Sequence, residues 1–228
     1  MLAPRKKLWS TPPSAVRQAI DWIRLQPNDV VCDIGCGDGR VIIQWAEAYC
    51  SRQQQNHNDN TNNGHEAGKE NQSVKFLGLD INPDRINEAN AALCEARSRG
   101  RIPDNFPVQF ECANALDSPE LIQNVTIFFL YLVPRGLRLI KPVLLQVMEE
   151  RNNIHETESN EVLLRVVTYM SPLPGESNIK REQCEVDHQP GAKWPLYLYE
   201  LTTKSLQQQQ QQQQQVEQLP TVNSNDNA

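Results

Sequence analysis

The chain has 228 residues, of which 39% are hydrophobic, so it is long enough for one domain with a sizeable buried core. Its 22 basic residues are outnumbered by 28 acidic ones, which gives a formal net charge of −6 and no global basic field for binding nucleic acid. No apolar stretch reaches the length of about 18 residues that a membrane span needs. We therefore expect no nucleic-acid partner and no membrane span.

The cysteines and the amino-terminal charges bear on metal binding and compartment. Six cysteines are scattered without the C-x-x-C spacing of a zinc or redox site, which predicts free thiols and no metal. The first 20 residues carry Arg5, Lys6, Lys7 and Arg17 and no acidic residue, as some transit peptides do. Because the fold is predicted to begin by Trp9, we expect a cytoplasmic protein, with the mitochondrion as the alternative compartment.

The fold is predicted to open with a helix over residues 9–25. Pro12 or Pro13 suits its first turn, and Ser10 or Thr11 is placed to cap it. One apolar stripe follows at helical spacing: Val16, Ile20 and Ile23. The stretch STPP, called the entrance segment below, is either the plain start of a packing helix or a strap that closes over a ligand in a neighbouring cleft. The residues leave both readings open.

A strand, a glycine-rich turn and a helix follow one another between positions 30 and 49. The apolar run VVCDI is typical of a strand buried on both faces, and apolar residues continue at helical spacing from Val41. Between them lie Gly35, Gly37 and Gly39, and we call residues 35–39 the glycine turn. Glycines let the backbone approach a ligand closely, and a helix N-terminus offers unpaired N–H groups. In open α/β sheets, ligands bind over such turns.

The spacing of the glycines restricts the kinds of ligand that the turn could bind. A dinucleotide fingerprint, G-x-G-x-x-G, would need glycine at position 40, where Arg40 stands; the third glycine comes one residue earlier, at Gly39. An acidic residue, Asp33, also lies just upstream. This D-x-G-x-G-x-G pattern resembles the first motif of class I methyltransferases, which bind S-adenosyl-L-methionine. A tight turn with no ligand is the alternative.

A second strand is predicted over residues 74–80, after a segment of different composition. Residues 51–73 are rich in glutamine, asparagine, glycine and charge, and we predict a disordered, low-complexity insertion there. Asp80 lies 45 positions after Gly35, but 22 once those 23 residues are left out. A ribose-binding carboxylate follows its glycine turn by about 20 residues. We therefore assign Asp80 to the ribose hydroxyls, with a plain helix-start aspartate as the alternative.

The remaining elements complete an α/β pattern. Further strands are predicted over residues 108–112, 126–132, 163–170, 183–188 and 196–202. A helix after the fourth strand carries Pro142, which must kink it or begin its main part. Residues 207–215 are all glutamine and introduce a polar tail, for which we predict disorder.

The resemblance to class I methyltransferases covers about residues 9–203 without residues 51–73. It implies a Rossmann-like, seven-stranded, mostly parallel sheet with helices on both faces and an antiparallel last strand, and seven strands are predicted. Within that superfamily, the chain resembles the lysine N-methyltransferase family that modifies ATP synthase c-subunit and adenine nucleotide translocase, together with its bacterial relatives. The matching stretches are WSTPPSAV, DIGCGDGRVII, and TIFFLYLVP followed by LRLIKPVLL. We predict a methyltransferase domain over residues 1–206 and a disordered polyglutamine tail over residues 207–228.

The resemblance also implies a cofactor, S-adenosyl-L-methionine, and the residues that hold it. Those at the glycine turn are Asp33, Gly35, Gly37, Asp38 and Gly39. Asp80 would bind the ribose, Ile81 would pack against adenine, and Thr11 would reach the cofactor's carboxylate. Asn114 stands where the family usually has an acidic residue that accepts from the adenine amino group. Its amide oxygen is still an acceptor.

A protein lysine is the methyl acceptor that the resemblance implies. A lysine amine must be neutral to attack, and with a pKa near 10.4 only about one in 2,500 is neutral at pH 7. An apolar pocket lowers that pKa and suits a methylated product. The stretch FLYLVP at the end of the fourth strand has this character, so Tyr131 is the candidate for lining or orienting the amine. A buried strand with a tyrosine at its edge is the alternative.

Three other functions stay open from the residues. The first is methylation of a small molecule by the same fold. The second is a non-catalytic interaction module that recruits partners through its glutamine-rich segments. The intact glycine motif, together with both Asp33 and Asp80, argues against this function. The third, a nicotinamide oxidoreductase, is disfavoured by Arg40. The oligomeric state is not indicated.

Overall fold

The computed structural model describes residues 10–59, 74–155, 162–186, 189–204 and 207. Its centre is one sheet with the strand order β3-β2-β1-β4-β5-β7-β6. The strands are β1 (Val30–Ile34), β2 (Lys75–Asp80), β3 (Val108–Cys112), β4 (Ile127–Leu130), β5 (Val162–Tyr169), β6 (Lys180–Glu185) and β7 (Lys193–Thr202). The helices are α1 (Pro13–Trp22), α2 (Arg40–Asp59), α3 (Pro83–Ser98) and α4 (Pro134–His155).

The sheet is mixed but mostly parallel. β1 pairs in parallel with β2 on one side and with β4 on the other, and β7 runs antiparallel to both of its neighbours, β5 and β6. The predicted Rossmann-like, seven-stranded fold with one antiparallel strand is therefore confirmed. Since β1, β2, β3 and β4 all point the same way, the loops that follow them meet at one edge of the sheet. We call it the carboxyl edge.

The central strands are buried on both faces. In β4, the side chains of Phe128 and Phe129 are fully buried and point to opposite faces, as the alternation of a strand requires. Phe129 packs in the core beneath α1, α2 and α3, and Phe128 packs in the core beneath α4. Helices on both faces leave the edges of the sheet clear, so the carboxyl edge is where a ligand has access.

One prediction about low-complexity sequence is wrong in part. α2 runs to Asp59, nine residues into the stretch that we expected to be disordered. These residues include glutamine and arginine, which are good helix formers, and they extend a helix that the core has already nucleated. The first five of them, residues 51–55, are exposed, which explains their polar composition. The rest of the predicted insertion, residues 60–73, lies outside the described residues, as does the tail beyond residue 207.

Other differences concern where elements begin. The residue that precedes α1 is Pro12, and no side chain caps the helix, so the expected cap from Ser10 or Thr11 is wrong. α4 begins at Pro134 and includes Pro142 in its interior. β6 begins three residues before its predicted start. Within the part of the chain that the structure describes, no helix has both the length and the apolar character to cross a membrane.

Candidate functional site

The glycine turn connects β1 to α2 at the carboxyl edge. The N–H groups of Gly35 and Cys36 both donate to the carbonyl of Leu79 in β2, at 2.7 and 3.0 Å. The N–H of Gly39 donates to the carbonyl of Cys36 at 3.0 Å, which closes the turn, and α2 begins at the next residue. The turn is thus held against the end of the neighbouring strand, and its free side faces away from the sheet.

Two of the turn's glycines are required for different reasons. Gly37 and Gly39 have φ of +56° and +76°, which L side chains rarely adopt. A Cβ on Gly39 would lie 2.6 Å from the ring of Phe110 and 2.9 Å from Cβ of Ala89, so this glycine is needed for packing. A Cβ on Gly37 would meet nothing within 4 Å. Gly37 therefore borders open space, where a ligand can approach the backbone.

Asp80, at the end of β2, lies directly against the glycine turn. One oxygen of its carboxylate accepts from the N–H of Gly37 at 3.0 Å, and the other accepts from the N–H of Asn82 at 2.9 Å. Asn82 in turn caps α3, its side chain accepting from the N–H of Asp84 at 2.9 Å. Asp80, predicted from its spacing to Gly35 without the insertion, therefore does lie beside the glycine turn.

Three carboxyl groups surround the glycine turn. Asp33 is buried at 3% exposure, and its burial, together with the charges of Asp80 and Asp38, raises its pKa to about 8. Burial also acts on Asp38, but its hydrogen bonds from Arg40 outweigh this effect and its pKa lies below the ordinary value. The carboxylates of Asp38 and Asp80 would attract a cationic ligand, and such a ligand would favour the ionised form of Asp33.

Arg40 links the glycine turn to the entrance segment. Its guanidinium donates to both carboxylate oxygens of Asp38, with Nε at 3.0 and 3.1 Å and Nη2 at 2.5 Å. Its Nη1 donates to Oγ of Ser10 at 2.9 Å. Thr11, the next residue, is buried at 5% exposure. The entrance segment therefore lies against the glycine turn, as the hypothesis that it closes over a ligand requires.

Ile81 and Asn114 lie beyond Asp80 at the same edge. Ile81 is 73% exposed, and its carbonyl lies 3.8 Å from the thiol of Cys112 at the end of β3. Asn114 uses both ends of its amide within its own loop: Oδ1 accepts from the N–H of Leu116 at 3.1 Å and Nδ2 donates to Asp117 at 2.6 Å. Its oxygen keeps a second lone pair for a ligand.

Tyr131 follows β4 and lies on the other side of the glycine turn from Asp80. Its ring meets that of Tyr169 edge to face at 5.0 Å between centroids, and its hydroxyl lies 4.0 Å from the sulfur of Met170. Burial raises the pKa of the phenol. Leu132 would lie 3.4 Å from a Cβ on Gly35, which places this loop in contact with the turn. The half-buried hydroxyl thus lies in apolar and aromatic surroundings.

The structure brings all the predicted site residues to the carboxyl edge or to the segment that contacts it. Two residues of interest were not singled out from the sequence. Arg40 was noted only as a departure from the dinucleotide fingerprint, although a basic residue two positions after Asp38 could have suggested their pairing. Met170, with φ of +73° and 41% exposure, gives no signal in the sequence.

Comparisons with known proteins agree with this fold. The chain matches no family model. It is 27% identical over 153 residues to a protein from Saccharolobus islandicus described as a protein-lysine N-methyltransferase, and the match covers 65% of this chain and 74% of that protein.

Solved structures of similar fold include methyltransferases of different substrates. An RNA methyltransferase from Salinibacter ruber, in complex with S-adenosyl-L-homocysteine, is 18% identical with a TM-score of 0.55, covering 85% of this chain and 94% of that one. A precorrin-6y C5,15-methyltransferase from Geobacter metallireducens is 15% identical with a TM-score of 0.52, covering 85% and 89%. These likenesses show that this chain shares the fold of the two methyltransferases.

Proposed function

We propose that the protein is an S-adenosyl-L-methionine-dependent methyltransferase that acts on a protein lysine. The observation that carries the proposal is the contact between Asp80 and the N–H of Gly37, which sets a carboxylate for sugar hydroxyls beside a turn with open space over its middle glycine. The similar fold of a methyltransferase solved with S-adenosyl-L-homocysteine supports this choice of cofactor.

The residues present fit this cofactor. Its methionine end carries an ammonium and its sulfur a positive charge. Burial, together with the charges of Asp80 and Asp38, raises the pKa of Asp33, and a bound cation would favour its ionised form. Asp80 would exchange its bond with the turn for the ribose hydroxyls. Ile81 exposes an apolar side chain to the adenine, and Asn114 offers its second lone pair to the adenine amino group. Thr11 would approach the cofactor's carboxylate.

The protein's part in the reaction is alignment and desolvation. When bound, the cofactor would supply a methyl group on a cationic sulfur. A neutral amine would take the methyl group in line, the sulfur would leave as a neutral thioether, and the positive charge would pass to the methylated nitrogen. Tyr131 and the apolar loop around it would give the substrate lysine surroundings of low polarity, which favour its neutral amine. Holding the nucleophile in line removes much of the entropic barrier, so no metal is required by this mechanism. Tyr131 would orient the amine through its hydroxyl oxygen.

The lysine acceptor is supported by the likeness to the Saccharolobus protein and by the stretches shared with the lysine N-methyltransferase family of ATP synthase c-subunit and adenine nucleotide translocase. Small-molecule methylation is the second candidate. It is supported by the similar fold of a precorrin methyltransferase. Both candidates use the same cofactor site. They differ only in the methyl acceptor that binds beside Tyr131.

Two measurements test the proposal in sequence. Titration calorimetry of the purified protein with S-adenosyl-L-methionine is expected to show one saturable site, and absence of binding would refute the methyltransferase assignment. Incubation of the protein with cell extract and methyl-labelled cofactor is then expected to put label into protein, in acid-stable form on lysine. Label found only in metabolites would replace the lysine acceptor with a small molecule and leave the cofactor site standing.

A further inference from the structure

The start of α1 has little local support. Pro12, the residue before this helix, has no side-chain group that could cap it, and the first turn contains no acidic residue. The N–H groups of Ala15 and Val16 donate to the carbonyl of Pro12 at 3.0 and 3.2 Å, and these bonds close the first turn. A helix start without a cap or a favourable charge frays readily. The position of the entrance segment, residues 10–13, therefore depends on contacts with other elements.

Two side-chain contacts anchor the entrance segment at its two ends. Oγ of Ser14, just after the segment, donates to the carbonyl of Glu185 at the end of β6 at 3.0 Å. Oγ of Ser10 accepts from Nη1 of Arg40, the first residue of α2, at 2.9 Å. Between these anchors, two prolines fix their own φ angles and make the segment stiff. The segment is thus held by β6 on one side and by the start of α2 on the other, and Thr11 between the anchors is buried.

Arg40 is itself held by the glycine turn. Its Nε donates to both carboxylate oxygens of Asp38 at 3.0 and 3.1 Å, and its Nη2 donates to one of them at 2.5 Å. These bonds orient the planar guanidinium, so less side-chain entropy is lost when Nη1 also binds Ser10. Asp38 is the neighbour of Gly37, which borders the open space over the turn. A single guanidinium therefore joins the entrance segment to the part of the turn that a ligand would approach.

We propose that Arg40 is a positioning residue that holds the entrance segment beside the proposed cofactor site and so prolongs the lifetime of the bound cofactor. The inference rests on the proposed function, because it concerns the same site. While the bond between Arg40 and Ser10 is intact, the stiff segment stays against the glycine turn and keeps Thr11 in place. Release of the cofactor requires the segment to move away, so this bond must break first. Its loss is therefore expected to appear in the rate at which the cofactor is released.

Ser10→Ala tests the bond most directly, because it leaves Arg40 and Asp38 paired. Release of tritium-labelled S-adenosyl-L-methionine is measured after an excess of unlabelled cofactor is added. It is expected to be about fivefold faster than in the natural chain, the effect of losing one hydrogen bond. Arg40→Lys keeps the charge but lacks the planar fork that serves two partners at once, so a similar acceleration is expected. In an Arg40→Gln background, Ser10→Ala is expected to have no additional effect, because the bond is already absent.

Arg52→Gln is the matched control. Arg52 of α2 pairs with Asp21 in the last turn of α1 at 3.2 Å, so it joins the same two helices at a distance from the entrance segment. This variant is expected to leave the release rate unaltered. Amide hydrogen exchange of the protein without cofactor gives a second readout. Ser10→Ala and Arg40→Gln are expected to speed the exchange of the first-turn amides of α1 severalfold, whereas Arg52→Gln is expected to leave it unchanged.

The possible outcomes separate this inference from the proposed function. If the natural chain does not bind S-adenosyl-L-methionine, the proposed function is refuted and the role of Arg40 with it. If the natural chain binds the cofactor but Ser10→Ala releases it no faster, the role of Arg40 alone is overturned. A natural release rate in Arg40→Lys would show that the charge acts without the bond to Ser10. An equal acceleration by Arg52→Gln would show that any loosening of α1 suffices, and either of these two results would also overturn the role of Arg40.

Discussion

Asp80 is the residue on which the proposed cofactor site depends. Its carboxylate contacts the glycine turn and stands at the end of β2, where sugar hydroxyls can replace the N–H of Gly37 as partners. Carboxylates at the ends of neighbouring parallel strands are within reach of one ligand because the strand register places them there. A single substitution therefore tests the geometry of the whole site.

Asp80→Ala is expected to weaken S-adenosyl-L-methionine binding by at least tenfold, because it removes two charge-assisted hydrogen bonds to the ribose. Titration calorimetry measures the affinity. Asp104→Ala is the control: this exposed residue precedes β3 and so lies at the opposite edge of the sheet. Equal affinities for the two variants would show that Asp80 does not hold the cofactor.

Gly37 and Gly39 provide a matched pair, since both have positive φ but only Gly39 is packed. Gly37→Ala is expected to cost about 1–2 kcal/mol from the left-handed backbone and to abolish cofactor binding, because its methyl group points into the open space over the turn. Gly39→Ala also meets Phe110 and Ala89, so a larger loss of stability is expected. Urea denaturation and calorimetry measure the two effects; a Gly37 variant that binds normally would contradict the placement of the ligand.

The raised pKa of Asp33 makes stability depend on pH. In the unfolded chain this carboxyl ionises near pH 4, whereas in the folded protein it keeps its proton to about pH 8, so the folded state binds more protons in between and stability falls as pH rises. Asp33→Asn imitates the protonated form and removes this slope. The variant is expected to match the natural chain at pH 4 and to exceed it at pH 8 by up to about 5 kcal/mol.

Denaturant titrations at pH 4, 6 and 8 measure this difference, with Asp104→Asn as an exposed control that is expected to leave the pH dependence unaltered. A constant difference between Asp33→Asn and the natural chain at all three pH values would show that this carboxyl is already ionised in the free protein.

At the scale of elements, the amino edge of the sheet is held by a partly buried ion pair. Nη2 of Arg165 in β5 donates to both oxygens of Asp29 at 2.7 Å, and the hydroxyl of Thr126 donates to Oδ1 of Asp29 at 2.7 Å. The N–H of Gln26 donates to Oδ2 at 2.6 Å. This network ties the turn before β1 to the residue that precedes β4 and to the first half of β5, at the opposite edge of the sheet from the proposed cofactor site.

Arg165→Met is expected to destabilise the protein by about 3–5 kcal/mol, because it leaves Asp29 buried without its cation. Arg99→Met removes one partner of an exposed pair on α3 and is expected to change stability by less than about 1 kcal/mol. Urea denaturation measures both. Equal effects would mean that water reaches Asp29 and screens the pair.

At the scale of the whole molecule, the residues of the proposed cofactor site all precede residues 207–228. The described elements already close the core on both faces. Deletion of residues 207–228 is therefore expected to leave cofactor affinity and thermal stability unchanged. Loss of methylation with cofactor binding intact would revive a recruiting role for the glutamine-rich tail, and loss of folding would show that the tail belongs to the domain.

The amino-acid sequence by itself determined the class of fold and indicated where the candidate cofactor site lies. Buried parallel strands need continuous apolar runs, and a turn that approaches a ligand needs glycines. The run VVCDI followed by Gly35, Gly37 and Gly39 therefore predicts a buried strand and a ligand-binding turn. The pairing of Asp80 with this turn was also predictable, because a fixed strand–helix–strand unit sets the distance once an insertion is recognised. These are local constraints, and local sequence specifies them.

Other features were decided only by the tertiary structure. Arg40 binds Ser10, 30 positions earlier, because α1 and α2 pack side by side, and no local pattern encodes that contact. The length of α2 was underestimated because a helix anchored in the core extends through polar residues that would not start one alone.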